Sequence, residues 1–184
     1  MRTNQLERWF EELMHALRQR TVFVNQGDDP VYFLVYPPIS SVEVYQLLPD
    51  WQKKLKHAGW APHTFNVGMA LAEYIQQHPD TEWIVEHERE HPEDQGAVIE
   101  SVRQLLLDDS GGTVVESWVL EQIDAVSMLD GGLLLLTGIE LLHPYLQIGR
   151  IEQRLQGRFT VPTVVFYPGS KTSTFGLRYL GFYE

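Results

Sequence analysis

The chain contains no cysteine at all. That excludes a disulfide scaffold, a thiolate nucleophile and any cysteine-ligated zinc or iron–sulfur centre. Concentrated positive charge is missing too. The formal net charge is −11, and the longest basic cluster is "QKKLKH" at 52 to 57. Affinity for nucleic acid comes largely from neutralised phosphates, so so acidic a chain is not expected to bind DNA or RNA directly. Anionic membrane surfaces are disfavoured for the same reason. No apolar run approaches the roughly 18 residues of a membrane span, and no charged stretch followed by an apolar one opens the chain. The expected location is the cytoplasm. The glycine-rich motifs of chemistry are also absent: there is no G-x-S-x-G elbow and no G-x-G-x-x-G turn. No paired carboxylates flank an evident cleft.

What is present is a folding sequence. Of 184 residues, 43% are hydrophobic and 11% aromatic, enough for a sizeable core. "NQLERWFEELMHALRQR" (4 to 20) places Leu6, Trp9, Phe10, Leu13, Met14 and Leu17 at helical spacing. "VYFLVYPP" (31 to 38) is an apolar strand stopped by two prolines. A helix is expected over 40 to 60, capped by Ser40 or Ser41 and ending at Gly59, with a kink or a restart at Pro49. "APHTFNV" (61 to 67) is a second strand.

From 68 to 128 the pattern is helical. Met69, Leu71, Ala72 and Ile75 stripe the first helix, and Thr113 with Glu116 opens the last at capping-box spacing. Val115, Trp118, Val119, Ile123 and Val126 share a face of that helix. "GGLLLLTG" (131 to 138) is the most strand-like run, 139 to 158 reads as a crossover helix beginning near His143-Pro144, and "VPTVVFYPG" (161 to 169) is the next strand. "FGLRYLGFY" (175 to 183) closes the sheet. Strands alternating with helices predict an α/β fold with a mainly parallel sheet of about five strands, helices on both faces and a helical insertion at about 68–128. The whole chain, 1–184, is expected to be one domain. "LLLLTG" and "VVFYPG" should be adjacent central strands, burying Leu134, Leu136, Val164, Phe166 and, from the insertion, Trp118.

Two motifs imitate chemistry. "FYPGSKTSTFG" (166 to 176) looks like a phosphate-binding loop, but the glycines of G-x-x-x-x-G-K-[ST] are replaced by Val165 and Ser170, and a strand pattern follows instead of a helix. It reads as a Pro-Gly turn between the last two strands, with Lys171 exposed. "HEREH" (87 to 91) matches H-E-x-x-H through His87, Glu88 and His91, the arrangement of a zinc hydrolase. Its surroundings are polar on every face, Pro92 follows at once, and no third ligand is signposted. It reads as a charged helix end.

Three stretches together resemble one family: "PVYFLVYPP", "LLLLTGIELLHPYLQIGRIEQRL" and "VPTVVFYPGSKTSTFGLRYLG". They are similar to the BrxB family, a small component of bacterial BREX phage-defence systems. The matching positions are Tyr36 and Pro38, then Leu136, Thr137 and Gly138, then Pro144 and Tyr145, and finally Pro168, Gly169, Leu177, Arg178 and Gly181. The chain departs from the family's Arg-Ser-His at Gln147, Ile148 and Gly149. The resemblance implies an α/β protein without a known activity. It also implies partners among other BREX-type defence proteins: an alkaline-phosphatase-like protein, a large ATPase and a DNA methyltransferase.

The leading expectation is therefore a non-enzymatic interaction subunit of an anti-phage system, with no cofactor, no metal, no direct nucleic acid and no membrane. The alternative is a small-molecule or nucleotide-responsive module. Ligands of open α/β sheets sit beyond the carboxyl ends of the strands. Here those ends gather Tyr36, Asn66, Thr137, Gly138, Pro168, Gly169, Ser170 and Arg178 as a candidate ligand or partner site.

Overall fold

The structure, a computed structural model, describes residues 2–20, 29–109, 111–171 and 177–179. Four parallel strands form the sheet: β1 (Val31–Tyr36), β2 (Ala61–Asn66), β3 (Gly132–Thr137) and β4 (Thr163–Lys171). Their order is β1-β4-β3-β2, and the short β5 (Leu177–Tyr179) pairs antiparallel with the far end of β4. The two most apolar strands, β3 and β4, are thus central and adjacent, as their sequences predict.

Pleating sorts the leucine run of β3 into two cores. Leu133 and Leu135 face one side, Leu134 and Leu136 the other. On the first side lie α1 (Arg2–Arg20) and α2 (Ser41–His57). Phe10 stacks on Trp51 with ring centroids 4.7 Å apart, and Phe166 of β4 lies next to the indole at 6.1 Å. The indole N–H keeps a partner by donating to Glu7 Oε1 at 3.1 Å. On the second side pack α3 (Val67–Gln77), α4 (Thr81–Glu90), α5 (Gln95–Leu105), α6 (Val114–Ser127) and α7 (Ile148–Leu155). Four of these five helices fill the span between β2 and β3. Leu134, Leu136, Val164 and Phe166 are all buried; each such side chain contributes about 1.5–3 kcal/mol through burial.

Several local expectations are corrected. Trp118 is only half-buried: the inward row of α6 is Val115, Val119, Ile123 and Val126, and Trp118 flanks it, its ring edge against Tyr74 of α3 at 5.3 Å. The inward residues of α3 are Val67, Gly68 and Leu71, with Ile75 packed against the same core; Leu71 and Ile75 stand as expected, whereas Met69 and Ala72 face outward. α2 runs through Pro49 without restarting, because that proline sits on the exposed side while Val44, Trp51 and Leu55 hold the buried one. The expected crossover helix over 139 to 158 is split. A 3-10 turn (Ile139–Leu142) follows β3, a loop with a cis His143–Pro144 peptide comes next, and α7 begins only at Ile148. His143-Pro144 therefore starts no helix. Arg103 of α5 holds the loop, its guanidinium donating to the Pro144 and Tyr145 carbonyls at 3.0 and 2.9 Å.

The Pro-Gly pair of 168–169 is not a turn but part of β4, which continues to Lys171. β3 pairs with β4 only as far as Val165, and Pro168 is the last partner of β1, so the missing N–H falls where the parallel ladder ends. Residues 172–176 between β4 and β5 lie outside the described residues, as does the Lys171 side chain.

Candidate functional site

The expected site residues sit at the carboxyl edge of the sheet, in two groups. Tyr36 closes β1 in register with Pro168, and Gly169 and Ser170 carry β4 past that edge, where Ser170 is the register partner of Arg178. Asn66 and Thr137 are register partners at the ends of β2 and β3, and Gly138 follows directly. The Arg178 side chain lies outside the described residues.

Much of the second group is spent on structure. Asn66 caps α3, its Oδ1 accepting from the Met69 N–H at 3.0 Å. Gly138 turns the chain at φ +76°, and a Cβ there would stand 2.1 Å from Asn66 Oδ1. Gly68 lets α3 close on the next turn: its own Cβ would lie 2.6 Å from both Gly138 O and Leu141 Cβ. Thr137 is buried with Oγ1 unpartnered. Tyr36 is buried in the α1–α2 core.

Residues that sequence reading passed over complete this edge. Tyr45, on the first turns of α2, donates its hydroxyl to Glu140 Oε1 at 2.7 Å. Burial pushes the phenol's pKa up, the Glu140 bond pushes it further, and the Gly138 backbone bond opposes them. The second Glu140 oxygen is buried without a partner. This pair and the Gly68–Leu141 approach draw together the starts of α2 and α3 and the 3-10 turn after β3. Four apolar side chains are left outside on those starts: Ile39 is 76% exposed, Val42 70%, Met69 67% and Leu141 50%. Their signal was present in the sequence as apolar residues beside the strand-ending prolines, asparagine and glycine.

The H-E-x-x-H stretch lies elsewhere. His87 stacks on Trp83 within α4, while His91 is already the residue after its last turn, beside Glu93 at 3.7 Å. Among the described residues no three histidine, aspartate or glutamate side chains are grouped to hold a metal ion. No described helix is long and apolar enough to cross a membrane.

A cavity of about 340 Å³ lies between α7 and the sheet, walled by Phe33, Leu136, Val165, Val119 and Ile148. Gly149 forms part of the same wall, so two of the three positions that depart from the family's Arg-Ser-His border this space. Glu152 also lines it, with Oε1 buried and unpartnered. Burial alone pushes that carboxyl up to about 7. Tyr167 of β4 is pushed up to about 12, first by burial and then by the charge of Glu152. The sequence signal for Glu152 is its spacing, four residues after Ile148 and three before Leu155, on the buried stripe of α7.

No curated protein and no solved structure matches the chain. A family model does, that of the BREX protein BrxB, over residues 63–183. The match takes in β2 to β5 with the helices between them, and two of the three stretches that suggested the family; "PVYFLVYPP" lies before it. An α/β sheet with this strand content and a match over well over half of the chain agree: the protein belongs to the BrxB family, whose members are components of BREX phage defence.

Proposed function

We propose that this chain is a non-enzymatic interaction subunit of its defence system, docking a partner protein on the carboxyl edge of its sheet. The observation that carries the reading is the set of exposed apolar side chains there, Ile39, Val42, Met69 and Leu141, on neighbouring helix starts. Apolar surface gathered on one side of a protein marks interaction sites, and a few well-placed side chains supply most of the binding energy. The expected ligand or partner residues belong to the same reading, Asn66, Thr137 and Gly138 at the ends of β2 and β3 and Tyr36, Pro168, Gly169, Ser170 and Arg178 on the β1–β4 side of that edge. The charge of −11 favours a partner with a basic face over DNA. The candidate partners are the alkaline-phosphatase-like protein, the large ATPase and the DNA methyltransferase of the same system.

The test is co-purification of tagged chain with these three proteins at moderate salt. Wild type should retain at least one. Met69→Asp and Val42→Asp should each lower that retention at least about tenfold, the loss of one hot-spot side chain, with unchanged melting temperature since both residues are about two-thirds or more exposed. Retention of none by wild type, or full retention by both variants, would count against the reading.

A further inference from the structure

We propose that the cavity between α7 and the sheet is a binding site for a small apolar molecule bearing a primary amine, with Glu152 as its anchor. The proposal stands independently of the docking edge. Its first ground is shape. About 340 Å³ is within the roughly 300–1,000 Å³ of ligand pockets, and the walls are the aromatic and branched side chains that such pockets use.

The second ground is charge. Asp29 and Glu152 are the ionisable side chains among the described residues that line the cavity, and no lysine, arginine or histidine is among them. Asp29 is engaged at the end of α7, accepting from the Gly157 N–H at 2.7 Å. Glu152 Oε1 has no hydrogen-bond partner although it is buried. A buried polar atom left unpaired costs free energy that a matching donor recovers. A hydrocarbon would fill the space and leave Oε1 unsatisfied. A carboxylate or phosphate ligand would meet two like charges. An ammonium group supplies both the donor and the opposite charge, and such charge-assisted bonds are about twice as strong as neutral ones.

Burial holds the empty Glu152 near half-ionised at neutral pH, at about 7. A bound ammonium would favour its ionised form and so draw a proton off it. Ile148 and Gly149 shape the wall at the start of α7.

The experiment uses the full chain and three probes of nearly equal shape: 4-phenylbutylamine, 4-phenylbutanol and 4-phenylbutyrate. Binding is followed by thermal shift and by titration in NMR at neutral pH. The amine should bind in the low-millimolar range or tighter and raise the melting temperature. The alcohol should bind about tenfold more weakly, and the acid not at all. Glu152→Gln should cost the amine about tenfold in affinity while leaving the alcohol within about twofold. Ile148→Trp, which enlarges a side chain of the wall, should weaken amine and alcohol alike. Equal affinity for amine and alcohol in wild type would overturn the role of Glu152. Amine binding that survives both substitutions would place the site elsewhere, and no binding by any probe at millimolar concentration would overturn the proposal outright.

Discussion

At position 152 the chain sets a carboxyl on the buried stripe of a helix, between Ile148 and Leu155, and the consequence is a stability that depends on pH. The ordinary value of 4.5 rises to about 7 in the folded state, with burial as the cause. The folded chain therefore holds this proton more tightly than the unfolded one. Its favourable contribution is complete below about pH 4.5 and is lost as pH rises through about 7. Glutamine mimics the protonated form and cannot ionise. Glu152→Gln should match wild type near pH 4.5 and exceed it by about 1–3 kcal/mol at pH 8, since each unit of pKa is about 1.4 kcal/mol. Urea midpoints measured from pH 4.5 to 8 decide it: parallel profiles for the two proteins would show that Glu152 is solvated. The same position shows why sites are harder to read than cores. Its helical spacing is visible in the sequence, but a glutamate on an apolar stripe gains meaning only when the wall across from it is known to be Phe33 and Val165.

The β2–α3 and β3–turn junctions show which parts of an element sequence can disclose. The strands were legible because their apolar runs are continuous: "LLLLT" and "TVVFY" are apolar on both faces, and only a doubly covered parallel sheet uses such runs. The box at Thr113 and Glu116 was legible because it is local, and the Thr113 N–H donates to Glu116 Oε2 at 2.6 Å as its spacing foretells. On the α3 stripe Leu71 and Ile75 are legible, but the sequence pattern puts Met69 and Ala72 in place of Val67 and Gly68, because it assigns Val67 to the preceding strand and leaves Gly68 out. The glycine proves to be an inward residue, pressed against Gly138 and Leu141, a contact that no periodicity reveals. Asn66 and Gly138 were read as ligand candidates, yet they interlock. Gly138→Ala would combine a left-handed alanine, roughly 1–2 kcal/mol, with displacement of the Asn66 cap, roughly another 1 kcal/mol. A loss of about 2–3 kcal/mol is expected. Gly59 also has a positive φ, +90°, but a Cβ there would touch nothing, so Gly59→Ala should cost only the backbone part, about 1–2 kcal/mol. Equal losses for the two variants in urea unfolding would mean that the Asn66–Gly138 contact carries no weight.

Across the molecule, one sheet serves two cores, one on each face, and their covers also meet at its carboxyl edge through the Tyr45–Glu140 hydrogen bond. α1 and α2 hold the Trp51 side; α3 to α7 hold the other. Two covers of such different size could melt separately, the more so because four helices of the larger one are consecutive in sequence between β2 and β3. The strands argue against that. Leu133 and Leu134 are neighbours on β3, both fully buried, one facing each core. Losing either cover would expose one whole face of β3 and β4, and a parallel sheet with one face in water does not persist. The expected behaviour is a single cooperative transition. Fluorescence of a Trp83→Phe, Trp118→Phe variant, whose remaining tryptophans Trp9, Trp51 and Trp60 all belong to the α1–α2 side, and far-ultraviolet circular dichroism from the helices should then give coincident urea curves. Leu133→Ala and Leu134→Ala should each cost about 2–5 kcal/mol, the usual result of truncating a buried leucine, and each should move both curves together. If Leu134→Ala instead shifts the dichroism curve and leaves the fluorescence curve in place, the helices between β2 and β3 unfold on their own, and the sheet is held by α1 and α2 alone.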